Sequence, residues 1–381
     1  MLPKKLQAKL QQRIDGNMFR SLPEPISLID FSSNDYLGFG RNEALYKMAS
    51  QLVSEYGLSH TGASGSRLLS GNHALYHSTE AHIAKVHNVE AALIFNSGYD
   101  ANLGFFGCVP QRGDLVFYDA LIHASIREGI QMGLAKGFKF PHNRHEEIEK
   151  IYQSEIRRRG NDDFDVYVVT ESVFSMDGDS PDLKTLCDFC ANRNFHLVVD
   201  EAHALGVLGD GYGLVQFLGL EELVFARLVT FGKALGCHGA AILGSELLKD
   251  FLTNFARSLI YTTALPPHSV ASVLAAYGQL ALAGALRERL WKNNARLKSA
   301  LHKTTVSHLE NQSPIHSIVI SGNDGVQKAS RMLRDTGFDV KPILSPTVPI
   351  GKERLRICMH SFNTETEILE LASNLNSLLS K

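Results

Sequence analysis

The sequence predicts an α/β protein. A large domain carries a mainly parallel, helix-covered sheet, and a smaller α+β domain follows it at the C-terminus. Three observations predict this. From Glu90 onward, short apolar runs alternate with helical runs, the pattern of parallel strands joined by crossover helices. After about residue 270 that alternation gives way to a long helical run and a smaller unit. Polar, titratable and glycine residues also follow almost every strand of the first part, where open parallel sheets bind ligands.

Taken in order, residues 4–20 read as an amphipathic helix with Leu6, Leu10, Ile14 and Met18 on one stripe, ended by Pro23 and Pro25. Ile29-Asp30-Phe31 is a short strand that breaks into the polar turn Ser32-Ser33-Asn34-Asp35. The glycine- and serine-rich run 57–72 is either a flexible loop or a rigid one lining a site, and no Walker lysine follows it. A helix then carries Leu75, Ile83, Ala84 and Val86. Strands are expected at 91–95, 115–118, 166–170, 196–199, 225–229 and 240–243, with helices at 122–134, 145–159 and 182–193 between them. A long helix at 268–301 leads to strands near 315–320 and 339–343 and to helices at 325–336 and 364–379. The expected division is an N-terminal segment 1–45, a large domain 46–275 and a small domain 276–381.

Composition excludes several classes. A net charge of −2 offers no footprint for nucleic acid or a membrane surface, and no apolar run approaches a membrane span. The start Met1-Leu2-Pro3-Lys4-Lys5 lacks a signal-peptide core, and five scattered cysteines suit a reducing cytoplasm. Cys187 and Cys190 have redox-pair spacing. They sit in an expected helix without a second pair and read as buried small apolar residues.

The strand ends carry the chemistry. Asn96-Ser97-Gly98-Tyr99 opens a helix, an anion-binding geometry. Asp119 to Ser125, including His123, follows the next strand, and Glu171 to Gly178, including Ser175, follows another. Asp200-Glu201-Ala202-His203 and Thr230-Phe231-Gly232-Lys233 close two more, with Gly232 and Gly236 bracketing the lysine. A lysine able to form a Schiff base, a strand-end aspartate and a phosphate cradle are what pyridoxal 5′-phosphate (PLP) requires. Asp200 would keep the ring nitrogen protonated, His203 would reach the phenolic oxygen, and His123 would stack on the ring. Asp-Glu-Ala-His also resembles a helicase box, but the Walker loop is missing, as is the Gly-x-Gly-x-x-Gly of a dinucleotide fold.

Seven motifs in order carry a family resemblance across nearly the whole chain. They are Asn34-Asp35-Tyr36-Leu37-Gly38, Gly65-Ser66-Arg67-Leu68-Leu69-Ser70-Gly71, residues 119–125, Ser175-Met176-Asp177-Gly178, residues 200–203, residues 230–233 and Tyr261-Thr262-Thr263. The chain resembles the α-oxoamine synthases, a branch of the fold-type I PLP-dependent transferases. Ser345-Pro346-Thr347-Val348-Pro349 and Arg354-Leu355-Arg356 are similar to those of the family's biotin-pathway member.

The resemblance implies that Lys233 is the Schiff-base lysine, that Asp200 pairs with the pyridinium, and that His203 and Ser175 contact the phenolic oxygen. It implies that His123 stacks on the ring and that Gly98, Tyr99 and Thr230 hold the phosphate. Thr262 or Thr263 would reach the phosphate of a neighbouring subunit. Arg356 and Asn34 would hold the amino acid carboxylate, while Arg20 and Thr347 would face the acyl donor. The implied reaction is decarboxylative condensation of L-alanine with a pimeloyl thioester of coenzyme A or acyl carrier protein. The implied enzyme is a cytoplasmic homodimer without a metal. A sister enzyme using glycine or serine and another acyl-CoA is the alternative; a non-catalytic relative is disfavoured by the intact Lys233, Asp200, His203 and His123. One departure stands out: Ser64 occupies a place where the family has glycine.

Overall fold

The computed structural model describes residues 2–22, 27–160, 163–301 and 312–379. The chain forms two compact units, one of residues 35–175 and 179–287 and one of residues 1–34, 176–178 and 288–381. The N-terminal segment 1–45 is thus shared between them, and the chain passes from the first to the second at 287/288.

The first strand, β1 (Ile29–Asp30), belongs to the smaller unit. The next seven form the sheet of the larger one: β2 (Ala91–Phe95), β3 (Leu115–Asp119), β4 (Lys136–Phe140), β5 (Val166–Glu171), β6 (His196–Asp200), β7 (Ala226–Thr230) and β8 (Ala240–Gly244). Their order is β2-β8-β7-β6-β5-β3-β4. Pairing is parallel from β7 to β4, while β8 runs antiparallel to both its neighbours. Strand β4 goes beyond the sequence reading. Its Lys-Gly-Phe-Lys-Phe alternation is largely exposed, as suits a charged edge strand.

Side chains alternate between two cores. Leu115, Phe117, Val166, Val168, Leu197 and Val199 join one cluster. Val116, Tyr167, Val169 and Val198 join the other, together with Phe105 and Ile126 from helices Gly98–Cys108 and Ala124–Met132. Each runs with both faces covered, so each strand reads as a continuous apolar run. Cys187 and Cys190 are buried in helix Leu183–Ala191 and their thiols are free. Burial pushes both thiols up to about 12, leaving no reactive pair.

In the smaller unit β9 (Ile315–Val319), β10 (Phe338–Asp339), β11 (Lys341–Ile343) and β12 (Arg354–Cys358) complete the strands. They form an antiparallel sheet β11-β12-β9 and a short parallel pair β1-β10. The expected strand at 339–343 is therefore two strands in two sheets. The helix expected at 4–20 spans Lys4–Asp15 and stops at Gly16, so Met18 lies beyond it; Pro23 and Pro25 lie outside the described residues. The long helix expected at 268–301 is two, Pro267–Leu280 and Gly284–Leu301, at 79° to each other. No single described helix is long and apolar enough to cross a membrane.

Candidate active site

The strands run one residue further than their apolar runs. Asp119, Glu171, Asp200 and Thr230 are the last residues of β3, β5, β6 and β7. Connections run outward from β3 to β4 and back through β5, β6 and β7, so the order reverses between β3 and β5. That reversal is where open α/β sheets hold ligands.

Asp200 follows the parity of Val198 and points to the face covered by helix Gly98–Cys108. There Asn102 Nδ2 donates to Asp200 Oδ2 at 3.2 Å and to Ser125 Oγ at 3.0 Å. The Ala202 amide donates to Asp200 Oδ1 at 2.9 Å. Ser125 Oγ lies 2.7 Å from His123 Nδ1, and the Ser125 amide donates to the same nitrogen at 3.3 Å, capping helix Ala124–Met132. A continuous hydrogen-bonded chain thus runs from Asp200 to His123. The His123 amide donates to Glu171 Oε1 at 2.6 Å, and Glu171 pairs in register with Asp200 on the next strand. Burial holds the His123 imidazole below its ordinary value despite Asp200, which keeps the ring neutral. Burial and then the neighbouring Asp200 push the Glu171 carboxyl well up.

His203 Nδ1 lies 2.7 Å from the hydroxyl of fully buried Tyr36. Lys233 is half-buried in the loop joining β7 to β8. Phe231 N to Gly239 O at 2.9 Å and Cys237 N to Phe231 O at 2.8 Å hold that loop closed. Of its bracketing glycines only Gly236 is obligatory. It adopts φ +60°, and a Cβ there would stand 2.0 Å from Gly40 N. Gly232 meets no such obstacle, with its nearest atom at 3.5 Å.

The phosphate cradle passes a similar test. A Cβ on Gly98 would lie 2.6 Å from Thr230 Cγ2, so the helix start and the end of β7 meet only because residue 98 is glycine. Ser97 Oγ accepts the Asp100 amide at 3.0 Å, and the helix leaves the amides of Gly98 and Tyr99 beyond its own ladder. These amides and the Thr230 hydroxyl suit a phosphate. Tyr99 bonds Glu128 through its hydroxyl, so its backbone is the part free to serve. Asn96 Nδ2 donates to Thr262 Oγ1 at 3.0 Å and to Thr263 O at 2.7 Å, placing both threonines beside the cradle of their own chain. Ser175 lies in the first part of the loop that joins β5 to helix Leu183–Ala191, half-buried.

The loop 57–72 is the rigid kind. Arg67 Nη1 donates to buried Glu80 at 2.6 Å and to Ile94 O at 3.1 Å, and its guanidinium sits 4.0 Å over the Tyr76 ring. Leu68 and Leu69 are left exposed. Ser64 has φ +61°, the left-handed conformation that favours glycine.

In the smaller unit, Asp30 Oδ1 accepts the amides of Ser32 and Ser33, and this turn delivers Asn34 to β12. Arg356 Nη2 donates to Asn34 Oδ1 at 3.0 Å. Arg354, two residues earlier on the same strand, is engaged otherwise: Nη1 pairs with Asp177 and Nε donates to Lys352 O at 2.9 Å. Arg20 Nη2 approaches Thr347 Oγ1 at 3.4 Å, so the two residues expected at the acyl donor meet.

Sequence reasoning missed Asn102, Ser125, Glu171 and Tyr36 as site residues. Asn102 had a signal, since it lies one helical turn after Gly98 on a helix already read as a ligand-facing start. Glu171 had another as the polar residue ending a buried strand.

A strand-end aspartate wired to His123, a lysine in a closed loop and a glycine-opened helix start suit a fold-type I PLP-dependent transferase. The chain belongs to the aminotransferase class I and II family, which it matches over residues 26–375. A curated relative, the 8-amino-7-oxononanoate synthase of Emericella nidulans, is 41% identical over 95% of this chain and 92% of its own. The solved 8-amino-7-oxononanoate synthase of Francisella tularensis is 28% identical with TM-score 0.79, covering 93% and 98% of the two chains. The serine palmitoyltransferase of S. paucimobilis, solved with a bound PLP–myriocin aldimine, is 25% identical with TM-score 0.88, covering 98% and 96%.

Proposed function

We propose that this chain is an 8-amino-7-oxononanoate synthase. It would condense L-alanine with a pimeloyl thioester, releasing carbon dioxide and the free thiol, for biotin synthesis. The observation that carries the reading is the hydrogen-bonded chain Asp200–Asn102–Ser125–His123 at the reversal of strand order. It presents one carboxylate and one neutral imidazole to a planar cationic ring. PLP bound there supplies the electron sink for cleaving bonds at Cα.

The chain's own residues do the rest. Asp200, held by the Asn102 side chain and the Ala202 amide, accepts a hydrogen bond from the ring nitrogen. His203, oriented by Tyr36, and Ser175 bind the phenolic oxygen. Gly98, Tyr99 and Thr230 hold the phosphate, with Thr262 or Thr263 reaching the phosphate of a neighbouring subunit although both also meet Asn96 of their own chain. Lys233 Nζ takes the Cα proton of alanine and later returns one to the product. Arg356 and Asn34 bind the alanine carboxylate, and Arg20 and Thr347 the acyl donor. Arg354 is set aside because Asp177 already occupies it. Exposed Leu68, Leu69 and Tyr261 support a homodimer, and five free cysteines support a reducing cytoplasm.

The test is a panel of amino acids added to the PLP-loaded protein, read by change in the visible absorbance of the cofactor. Alanine alone should give the response and, with pimeloyl thioester, release carbon dioxide. A response to serine or glycine in its place would select a sister enzyme, the reading that the overlap with serine palmitoyltransferase favours. Sedimentation across protein concentration tests assembly, and a fully active monomer would rule out shared sites.

A further inference from the structure

A second cluster of ionisable groups lies behind the site. His142 follows β4 directly and is flanked by two carboxylates. Its Nδ1 is 2.8 Å from Asp119 Oδ1 and its Nε2 is 2.8 Å from Asp179 Oδ2. The ring stands edge-on to Phe174, 4.5 Å between centroids. Asp119 is fully buried and also accepts the amides of Leu121 at 2.8 Å and Asn143 at 2.7 Å. Asp179 also accepts Asn143 Nδ2 at 2.8 Å, and its carbonyl receives the Phe174 amide at 2.9 Å. Each imidazole nitrogen faces a carboxylate oxygen, an arrangement in which both donate; Asn143 Nδ2, 3.3 Å from Nε2, has the shorter contact with Asp179 Oδ2. His142 is therefore an imidazolium that ties together the ends of β3, β4 and the loop after β5.

The turn from Asp119 to His123 is held at its two ends. Asp119 is fixed by His142, and the His123 amide is fixed by Glu171. Between them Asp119 accepts the Leu121 amide through its side chain and the Ile122 amide through its carbonyl at 3.3 Å. Three residues separate the anchored carboxylate from the ring that stacks on the cofactor, so a loosened Asp119 moves that ring.

We propose that His142 is a positioning residue for His123, an imidazolium pinned between Asp119 and Asp179 that sets the turn from β3 into the next helix. This rests on the reading of His123 as the cofactor-stacking residue. The charged groups facing it are Asp119 from β3 and Asp179 from the loop after β5, while Phe174 offers only an apolar edge.

The experiment has two arms. In cofactor-free wild type, nitrogen NMR of labelled histidines should show His142 doubly protonated from about pH 5 to pH 8. The resonance is assigned by its loss in His142→Gln. In that variant, or in the milder Asp179→Asn should the first fail to fold, the His123 resonance should shift. A His142 midpoint near the ordinary ~6.5, or an unmoved His123, overturns the proposal. In the loaded enzyme His142→Gln should lower kcat about 10- to 100-fold. It should cost nothing further in a His123→Ala background, because it acts through that ring. Additive losses, or a fall in melting temperature alone, also overturn it. If wild type fails to bind PLP, the proposed function falls while the NMR arm still decides the clamp.

Discussion

The two sheets present functional side chains in different ways. In the seven-stranded sheet they stand at strand ends, where Asp200 and Thr230 are terminal residues and His123 and Lys233 follow within a short turn. In the three-stranded sheet Arg356 sits in the middle of β12, and Arg354, two residues away, has the same chemistry and the same face. At a strand end, position alone gives each residue its place. In mid-strand, position gives two equal candidates, and only the partners separate them: Asp177 for Arg354, Asn34 for Arg356.

The sharpest break of this contrast is at a strand-end loop. Lys233→Ala should reduce turnover about 10⁴-fold or more while the fold survives. Borohydride should attach cofactor to wild type and leave the variant unlabelled; equal labelling would remove Lys233 from its role.

The mid-strand pair comes next. Arg356→Ala should raise the KM for alanine about 10- to 100-fold, the worth of a charge-assisted pair, with little change for the thioester. Arg354→Ala should act on stability instead. Its KM for alanine stays near wild type, and stability falls by about 3–5 kcal/mol because Asp177 is left without its buried partner. Steady-state kinetics with denaturant unfolding separates the two. If only Arg354→Ala impairs alanine binding, the arginines have been exchanged.

A pH series probes the strand-end side. Burial works against charge on His142, but Asp119 and Asp179 outweigh it and push its pKa from 6.5 up to about 10. The raised value means that its stabilisation is complete below about 6.5 and is lost as pH rises towards 10. The melting-temperature gap between wild type and His142→Gln should therefore be widest near neutral and acid pH and narrow on the alkaline side. A gap independent of pH would contradict a charged clamp.

The smallest expected effect is at Ser64. Its left-handed backbone costs about 1 kcal/mol, a strain that glycine would relieve, although glycine's greater freedom in the unfolded chain offsets part of the gain. Ser64→Gly should stabilise by about 0.5 kcal/mol, measurable by chemical unfolding, and a loss of stability would show that the Ser64 side chain contributes more than its backbone costs.

How much was legible in the sequence follows the same division. Long apolar runs gave the sheet because both of its faces are buried, and the polar residues ending those runs gave Asp200, His203 and Lys233. The edge strand β4 escaped because an exposed edge needs no apolar run. The helix 268–301 was read as one because its composition stays helical through the 79° bend. Asn102, Ser125, Tyr36 and His142 escaped for a further reason. Each works by orienting another side chain: for Asn102, Tyr36 and His142 the partner is far away in the chain, and Ser125, two residues from His123, is tied to the site only through distant Asn102.

The contact between Gly98 and Thr230 has a genetic consequence. The obstacle to a Cβ at 98 is a single methyl carbon, Thr230 Cγ2 at 2.6 Å; the next atoms are at 3.8 and 4.0 Å. Serine at 230 keeps the hydroxyl and lacks that carbon. Alanine at 98 should therefore be damaging beside threonine and tolerated beside serine. The two positions form one unit of variation, in which the chain can trade glycine–threonine for alanine–serine in a fixed order, with residue 230 changing first.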